Sequence, residues 1–160
     1  MANSLNDFER IVRQAHRFTE AEGAKSAGMH PFDARNVHSD LPSDVRRLFD
    51  NGHFAQATFE AFKFVDAEVQ RISGSADHGT SLIMRVLSGS SPLVKLNPGM
   101  TQSEKDEQEG YKFLFAGAAL GIRNPRGHLA GLSDDPDTSL DHLSLASMLL
   151  RRLDEAGLRS

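Results

Sequence analysis

The chain has 160 residues, 39% hydrophobic and 25% charged, with 18 basic and 22 acidic side chains for a formal charge of -4 at pH 7. That length suits one compact domain with one main site per subunit, and the composition excludes long disordered tracts. The acidic balance excludes a general attraction to polyanions, so any nucleic-acid contact must be local, and the absence of cysteine excludes disulfides and thiolate metal sites and fits a reducing compartment.

At the start, Met1 to Arg17 interleave Asp7, Glu9, Arg10 and Arg13 with apolar positions and lack the continuous apolar stretch of a signal peptide. No run approaches the ~20 apolar residues that cross a bilayer, so a cytoplasmic location without membrane contact is expected. Leu5, Phe8, Ile11, Val12 and Ala15 recur at three- and four-residue steps after Asn3-Ser4 and predict a capped amphipathic helix that ends before Gly23. Met29 to Pro42 reads as a surface connection. The expected organisation is therefore residues 1–42 as an N-terminal helix and connection packed on a bundle, and 43–160 as the helical domain.

Ser43 is the expected N-cap of a short helix through Val45, Leu48 and Phe49 that stops at Asn51-Gly52. From Phe54 to Ile72 the apolar spacing predicts a long helix, with Phe59 and Phe62 off its main stripe and therefore in contact on a second side, with another helix or a partner subunit. Leu82 to Leu87 suggest a short helix, and Leu93, Val94 and Leu96 a brief extended stretch. Ser103, followed by Glu104, Asp106 and Glu107, predicts the start of a helix running through Phe115 and Ala119 to about Ile122. Gly110, Gly117 and Gly121 weaken it by about 1 kcal/mol each relative to alanine, which predicts close approach of a neighbouring helix. Asn124-Pro125 predicts a fresh helix start and a bend, and Ser139 the cap of a last helix carrying Leu140, Leu143, Ala146, Leu150 and Leu153. The fold class expected is all-α, an antiparallel bundle of four or more helices with an additional N-terminal helix.

The residues best suited to chemistry lie in Arg123-Asn124-Pro125-Arg126-Gly127-His128. Imidazole can take the proton of a ribose 2′-hydroxyl or return one to a leaving 5′-oxygen, and guanidinium stays charged and can grip a phosphate. Attack of a 2′-oxygen on the adjacent phosphate needs no metal. Asn124 could orient the imidazole or be consumed as a helix cap. The spacing alone equally suits a structural reading, with Arg123 paired to a helix end and His128 packed locally.

Weaker candidates surround the motif. His53 and Lys63 lie near one another on the long helix and could line a substrate groove, and Arg126 is a candidate substrate contact because it sits inside the motif. His30, His38, His53, His78 and His142 lack ligand spacing, so no metal or other cofactor is assigned. The run Asp134 to Asp137 reads as a solvent-exposed turn. Phe59, Phe62, Phe113 and Phe115 suit either a core or a dimer interface.

Arg47-Leu48-Phe49, Gly52-His53-Phe54, Glu60-Ala61-Phe62-Lys63, Ser73-Gly74, Ser81-Leu82-Ile83-Met84, Gln108-Glu109-Gly110, Leu114-Phe115-Ala116-Gly117-Ala118 and Ile122 to His128 together resemble the bacterial and phage Ymh family over about Arg46 to Asp154. Through its Arg-then-His motif the chain is similar to the HEPN superfamily. The resemblance implies a HEPN-like bundle that forms a homodimer with the two motifs facing one shared cleft, and metal-independent endoribonuclease activity in antiviral or toxin-antitoxin systems. On this chain it implies Arg123 at the scissile phosphate, His128 as general acid/base and Asn124 as the polar residue after the arginine. RNA is the implied substrate, with an antitoxin or sensor protein as a further partner. The alternative is a non-catalytic module that binds nucleotide, RNA or protein through the same cleft. The acidic net charge favours that alternative unless the RNA substrate is narrow.

Overall fold

The structure, a computed structural model, describes residues 28–129 and 131–159. The helix expected over Leu5 to Phe18 lies outside the described residues. The chain divides into two units, residues 1–36 and 37–160, rather than at residue 42. Residues 37–42 belong to the second unit for a physical reason: the His38 backbone N–H donates to Ser147 Oγ at 2.9 Å, His38 Nε2 meets Asp154 Oδ2 at 2.7 Å, and Leu41 is buried.

In the described part of the first unit, the interval read as a plain connection contains one helical turn, α1 (Pro31–Ala34). Proline at its first position needs no N–H partner, and His30 Nδ1 accepts from the Phe32 N–H.

The second unit is all-helical, with no strand among the described residues. Its elements are α2 (Ser43–Asp50), α3 (Phe54–Ser73), α4 (Gly79–Val86), α5 (Gln102–Ala118), a π-helical turn (Ala119–Arg123), α6 (Asn124–His128) and α7 (Pro136–Glu155). Gly52 at φ +77° and Gly74 at φ +66° take left-handed conformations where α2 and α3 end, as the Asn-Gly and Ser-Gly signals predict. The centre of the unit is α3, which packs against α2, α4, the π turn, α6 and α7. Its Ala57, Ala61, Phe62, Val65 and Val69 share the core with Leu82, Ile83 and Val86 of α4, Phe115 of α5, and Leu143, Leu149, Leu150 and Leu153 of α7.

Three starts differ from the sequence reading. Thr101, not Ser103, caps α5, because Thr101 and Glu104 satisfy each other's backbone N–H groups in a capping box. Asp135 caps α7, with Pro136 in its first turn. Ser139 is instead buried, donating to the Phe54 carbonyl and meeting Thr58 Oγ1 at 3.1 Å, so that it ties α7 to α3. Ser43 is likewise the first residue of α2 and Pro42 its cap. The stretch around Val94 forms no strand; the Gln108 side chain takes its place as backbone partner, donating to the carbonyls of Leu87 and Val94 and accepting from the Leu96 N–H.

The glycines of α5 and of the π turn after it do not mark close packing. A Cβ built on Gly110, Gly117 or Gly121 would meet no atom within 4 Å. With Phe113, Leu114 and Leu120 they form an exposed face of the long helix, and the closely packed central helix is α3.

Candidate functional site

The motif sits where the helix changes its winding. The Asn124 N–H reaches the Ala119 carbonyl five residues back, and Asn124 is helical at φ -62° and ψ -45°. Asn124 is therefore no N-cap, and the expected bend and fresh start are replaced by one continuous helical path from Gln102 to His128. Pro125 explains the wide turn. In a regular α-helix its ring would collide with the carbonyl of Gly121 and remove that carbonyl's donor, and a π turn just before it gives the ring room.

Freed from capping, the Asn124 side chain serves Arg123: Arg123 Nη1 donates to Asn124 Oδ1 at 3.1 Å. The Arg123 guanidinium lies 5.5 Å from the centre of the Phe59 ring, within cation–π range, and its Nε is 4.0 Å from Asp66 Oδ2. Both Phe59 and Asp66 come from α3. The side chain of Arg123 is 24% exposed, so it is backed by α3 and partly open to solvent. Burial pushes the Asp66 carboxyl above the ordinary carboxylate range, against the pull of Arg123, the Gly79 N–H and His78.

His128 ends α6 and is exposed, with no hydrogen bond or ion pair to the described residues. Five residues of helix separate it from Arg123 by about 7.5 Å along the axis and about 140° around it. Arg123 lies against Phe59 and Asp66 of α3, while the His128 side chain is free in solvent. Between them, Gly127 lies against Phe59, and a Cβ added there would stand 2.8 Å from Phe59 Cε2. Gly127→Val is expected to displace the Phe59 ring and with it the floor under Arg123, lowering the melting temperature and any anion affinity together; differential scanning fluorimetry with and without an RNA oligonucleotide checks this.

Arg126 is not offered to a ligand. Its Nε and Nη2 donate to the two oxygens of Asp134, each at 2.7 Å, and Nη1 donates to the Ile122 carbonyl at 2.8 Å. Nη2 also meets His142 Nδ1 at 3.3 Å, and the side chains of Arg126 and Asp134 are 8% and 7% exposed. The donors proposed for substrate are spent on holding Asp134, whose side chain, read as part of an exposed turn, is buried. Burial and the neighbouring Arg126 charge hold the His142 pKa below its ordinary value.

His53 and Lys63 do not form one groove, since ten residues of helix set them about 15 Å apart. His53 lines a shallow cleft of about 230 Å³ with Gln56, Leu132 and Asp134, whereas Lys63 is exposed and paired with Glu60 one turn away. A second cleft of about 520 Å³, lined by Lys95, Lys105 and Gln108, lies towards the opposite end of the long helix and holds none of the motif residues.

The family model described as "Protein of unknown function (Hypoth_ymh)" matches residues 35–153, about three-quarters of the chain. The chain belongs to the Hypoth_ymh family. No curated protein and no solved structure matches it. The matched span includes every motif residue as well as Phe59, Asp66, Asp134 and His142, the Hypoth_ymh residues that the sequence reading did not place at the site. One signal for Asp66 was present: Phe59, Phe62, Asp66 and Val69 follow steps of three, four and three, which puts a carboxylate on the buried second side of α3. Among the described residues no group of three or more His, Asp or Glu is arranged to hold a metal ion, and no helix is long and apolar enough to cross a membrane.

Proposed function

We propose that this Hypoth_ymh protein is a metal-independent endoribonuclease of HEPN type, working as a homodimer in antiviral defence or a toxin-antitoxin pair. The observation that carries the reading is the pairing, within one six-residue motif, of a part-exposed Arg123 backed by Phe59 and Asp66 with a solvent-exposed His128. Arg123 stabilises the charge that develops on the scissile phosphate. His128 moves the proton, taking it from the attacking 2′-hydroxyl or giving it to the departing 5′-oxygen. The new bond is 2′-oxygen to phosphorus, the broken one phosphorus to 5′-oxygen, and the products are a 2′,3′-cyclic phosphate and a free 5′-hydroxyl.

The angular separation of Arg123 and His128 favours a dimer, in which the arginine of one subunit and the histidine of the other meet on one phosphate. The exposed face of the long helix suits that pairing: Phe113 is 57% and Leu120 61% exposed, with Leu114 and Gly117 between them and Gly121 next to Leu120. An apolar stripe on the helix that carries the motif is a natural self-complementary contact around a two-fold axis. Leu120→Glu is expected to give a folded monomer without cleavage activity, as read by sedimentation equilibrium and an RNA gel.

The deciding experiment incubates purified wild type and His128→Ala with total cellular RNA in EDTA and identifies the ends of new fragments. Fragments with 2′,3′-cyclic phosphate ends from wild type alone are expected. Intact RNA with both folded proteins would replace the nuclease reading with that of a binding module using the same face.

A further inference from the structure

Asp66 takes no part in the reaction written above, yet it is the carboxylate nearest the reactive arginine. It projects from the central helix into a buried position, and its Oδ2 has no hydrogen-bond partner. The atom facing it, Arg123 Nε, is also buried and also unpartnered, 4.0 Å away. Two buried polar atoms of opposite charge, both left without hydrogen bonds, form an arrangement that a pair of well-packed apolar side chains would replace without that penalty.

We propose that Asp66 is the positioning residue for Arg123, fixing the guanidinium from behind so that Nη2 is left to receive a phosphodiester oxygen. Three contacts divide the guanidinium between them. Asp66 stands behind Nε, Asn124 Oδ1 takes a hydrogen from Nη1, and the Phe59 ring covers one face. Nη2 makes no hydrogen bond to the described residues. Without the Asp66 charge the guanidinium would be free to turn about its last torsions, because only one neutral hydrogen bond and a ring contact would remain. Burial holds the Asp66 carboxyl above the ordinary carboxylate range, with the Arg123 charge as the largest opposing pull.

The assignment of the anion as a phosphodiester rests on the ribonuclease reading, whereas the positioning of Arg123 does not, and the test separates the two. In the full-length protein, the Arg123 Nε–H resonance is followed by proton–nitrogen NMR in wild type, Asp66→Asn and Asp66→Glu, with Arg123→Lys giving the assignment. The same proteins are assayed for RNA cleavage and for binding of a 2′-O-methyl RNA oligonucleotide, which cannot be cleaved. In Asp66→Asn the Nε–H signal is expected to lose its exchange protection and move to the free-arginine position. The value of kcat/KM should fall about a hundredfold, as for a misplaced catalytic group, with no drop in melting temperature. Asp66→Glu should recover part of the Nε–H signal, which a purely structural role for the side chain would not produce. An Nε–H resonance unchanged in Asp66→Asn, or wild-type cleavage by that variant, overturns the proposal. If wild type itself neither cleaves nor binds RNA while the Nε–H signal still follows Asp66, the positioning role stands and the ribonuclease reading falls.

Discussion

His128→Ala should lower RNA cleavage by about 10²–10⁴-fold, the usual worth of a general acid/base, while leaving the melting temperature where it was. The second half of that expectation is specific to this structure. His128 ends a five-residue helix, is exposed and makes no hydrogen bond to the described residues, so truncation removes no buried contact. Arg123→Ala should be comparably inactive, by about 10²–10³-fold if the guanidinium acts as a single charge-stabilising donor. Its stability signature should differ, because removing Arg123 leaves Asp66 buried without its nearest positive charge. Single-turnover cleavage rates beside urea unfolding curves for both variants check this. Loss of activity that tracks loss of stability in His128→Ala would argue against the assigned role.

The larger effect on stability should come from the other arginine of the motif. Arg126→Ala is expected to destabilise the protein by about 3–5 kcal/mol, the cost of leaving one member of a buried ion pair without the other. Asp134 would be left in a nearly inaccessible position with both oxygens stripped of their Arg126 donors, and the Ile122 carbonyl would lose a hydrogen bond as well. Arg126→Lys should recover only part of the loss, because an ammonium cannot reproduce the two parallel bonds of the guanidinium. A urea midpoint series measures both. The same cluster sets a pH dependence: the His142 pKa is lowered in the folded state, so below about pH 6.5 the unfolded chain takes up a proton that the folded one refuses. Stability should therefore be full above that pH and fall as the solution is acidified towards the folded pKa. His142→Gln should flatten that slope, as followed by melting temperature between pH 8 and 5.

The residues that were legible from the sequence are those whose signal is local. The long apolar stripe of α3 and the Gly74 stop define that helix because both act within one or two turns. The start of α5 was misplaced by two residues because Ser103 and Thr101 are both good caps, and only Thr101 has a glutamate three positions on to answer it. The glycines of α5 misled for a different reason. Their low helix propensity announces that something compensates, without saying whether that is a neighbouring helix or a face left open. At the site, Arg123, Asn124 and His128 were identifiable as letters of a motif, but the divergent roles of Arg123 and Arg126 were not. Those depend on Asp66, 57 positions earlier, and on Asp134 in a loop that composition alone marks as solvent-exposed. The π turn was invisible because Asn-Pro is also the usual beginning of a new helix.

That turn makes the site depend on a residue count as well as on residue identity. Between Ala119 and Arg123 the backbone carries one residue more than an α-helical turn would hold, and the wide turn absorbs it so that the helix beyond keeps its facing. Were the turn to close to regular α-helix with all its residues kept, Arg-Asn-Pro-Arg-Gly-His would be spelled as before, yet the motif would swing by about 100° about the axis. Gly127 would leave the Phe59 ring, Arg126 would lose Asp134, and Arg123 would face away from Asp66. A relative whose helix winds regularly through the same number of residues would pass any search for the motif by its letters while having lost the architecture that gives those letters their geometry.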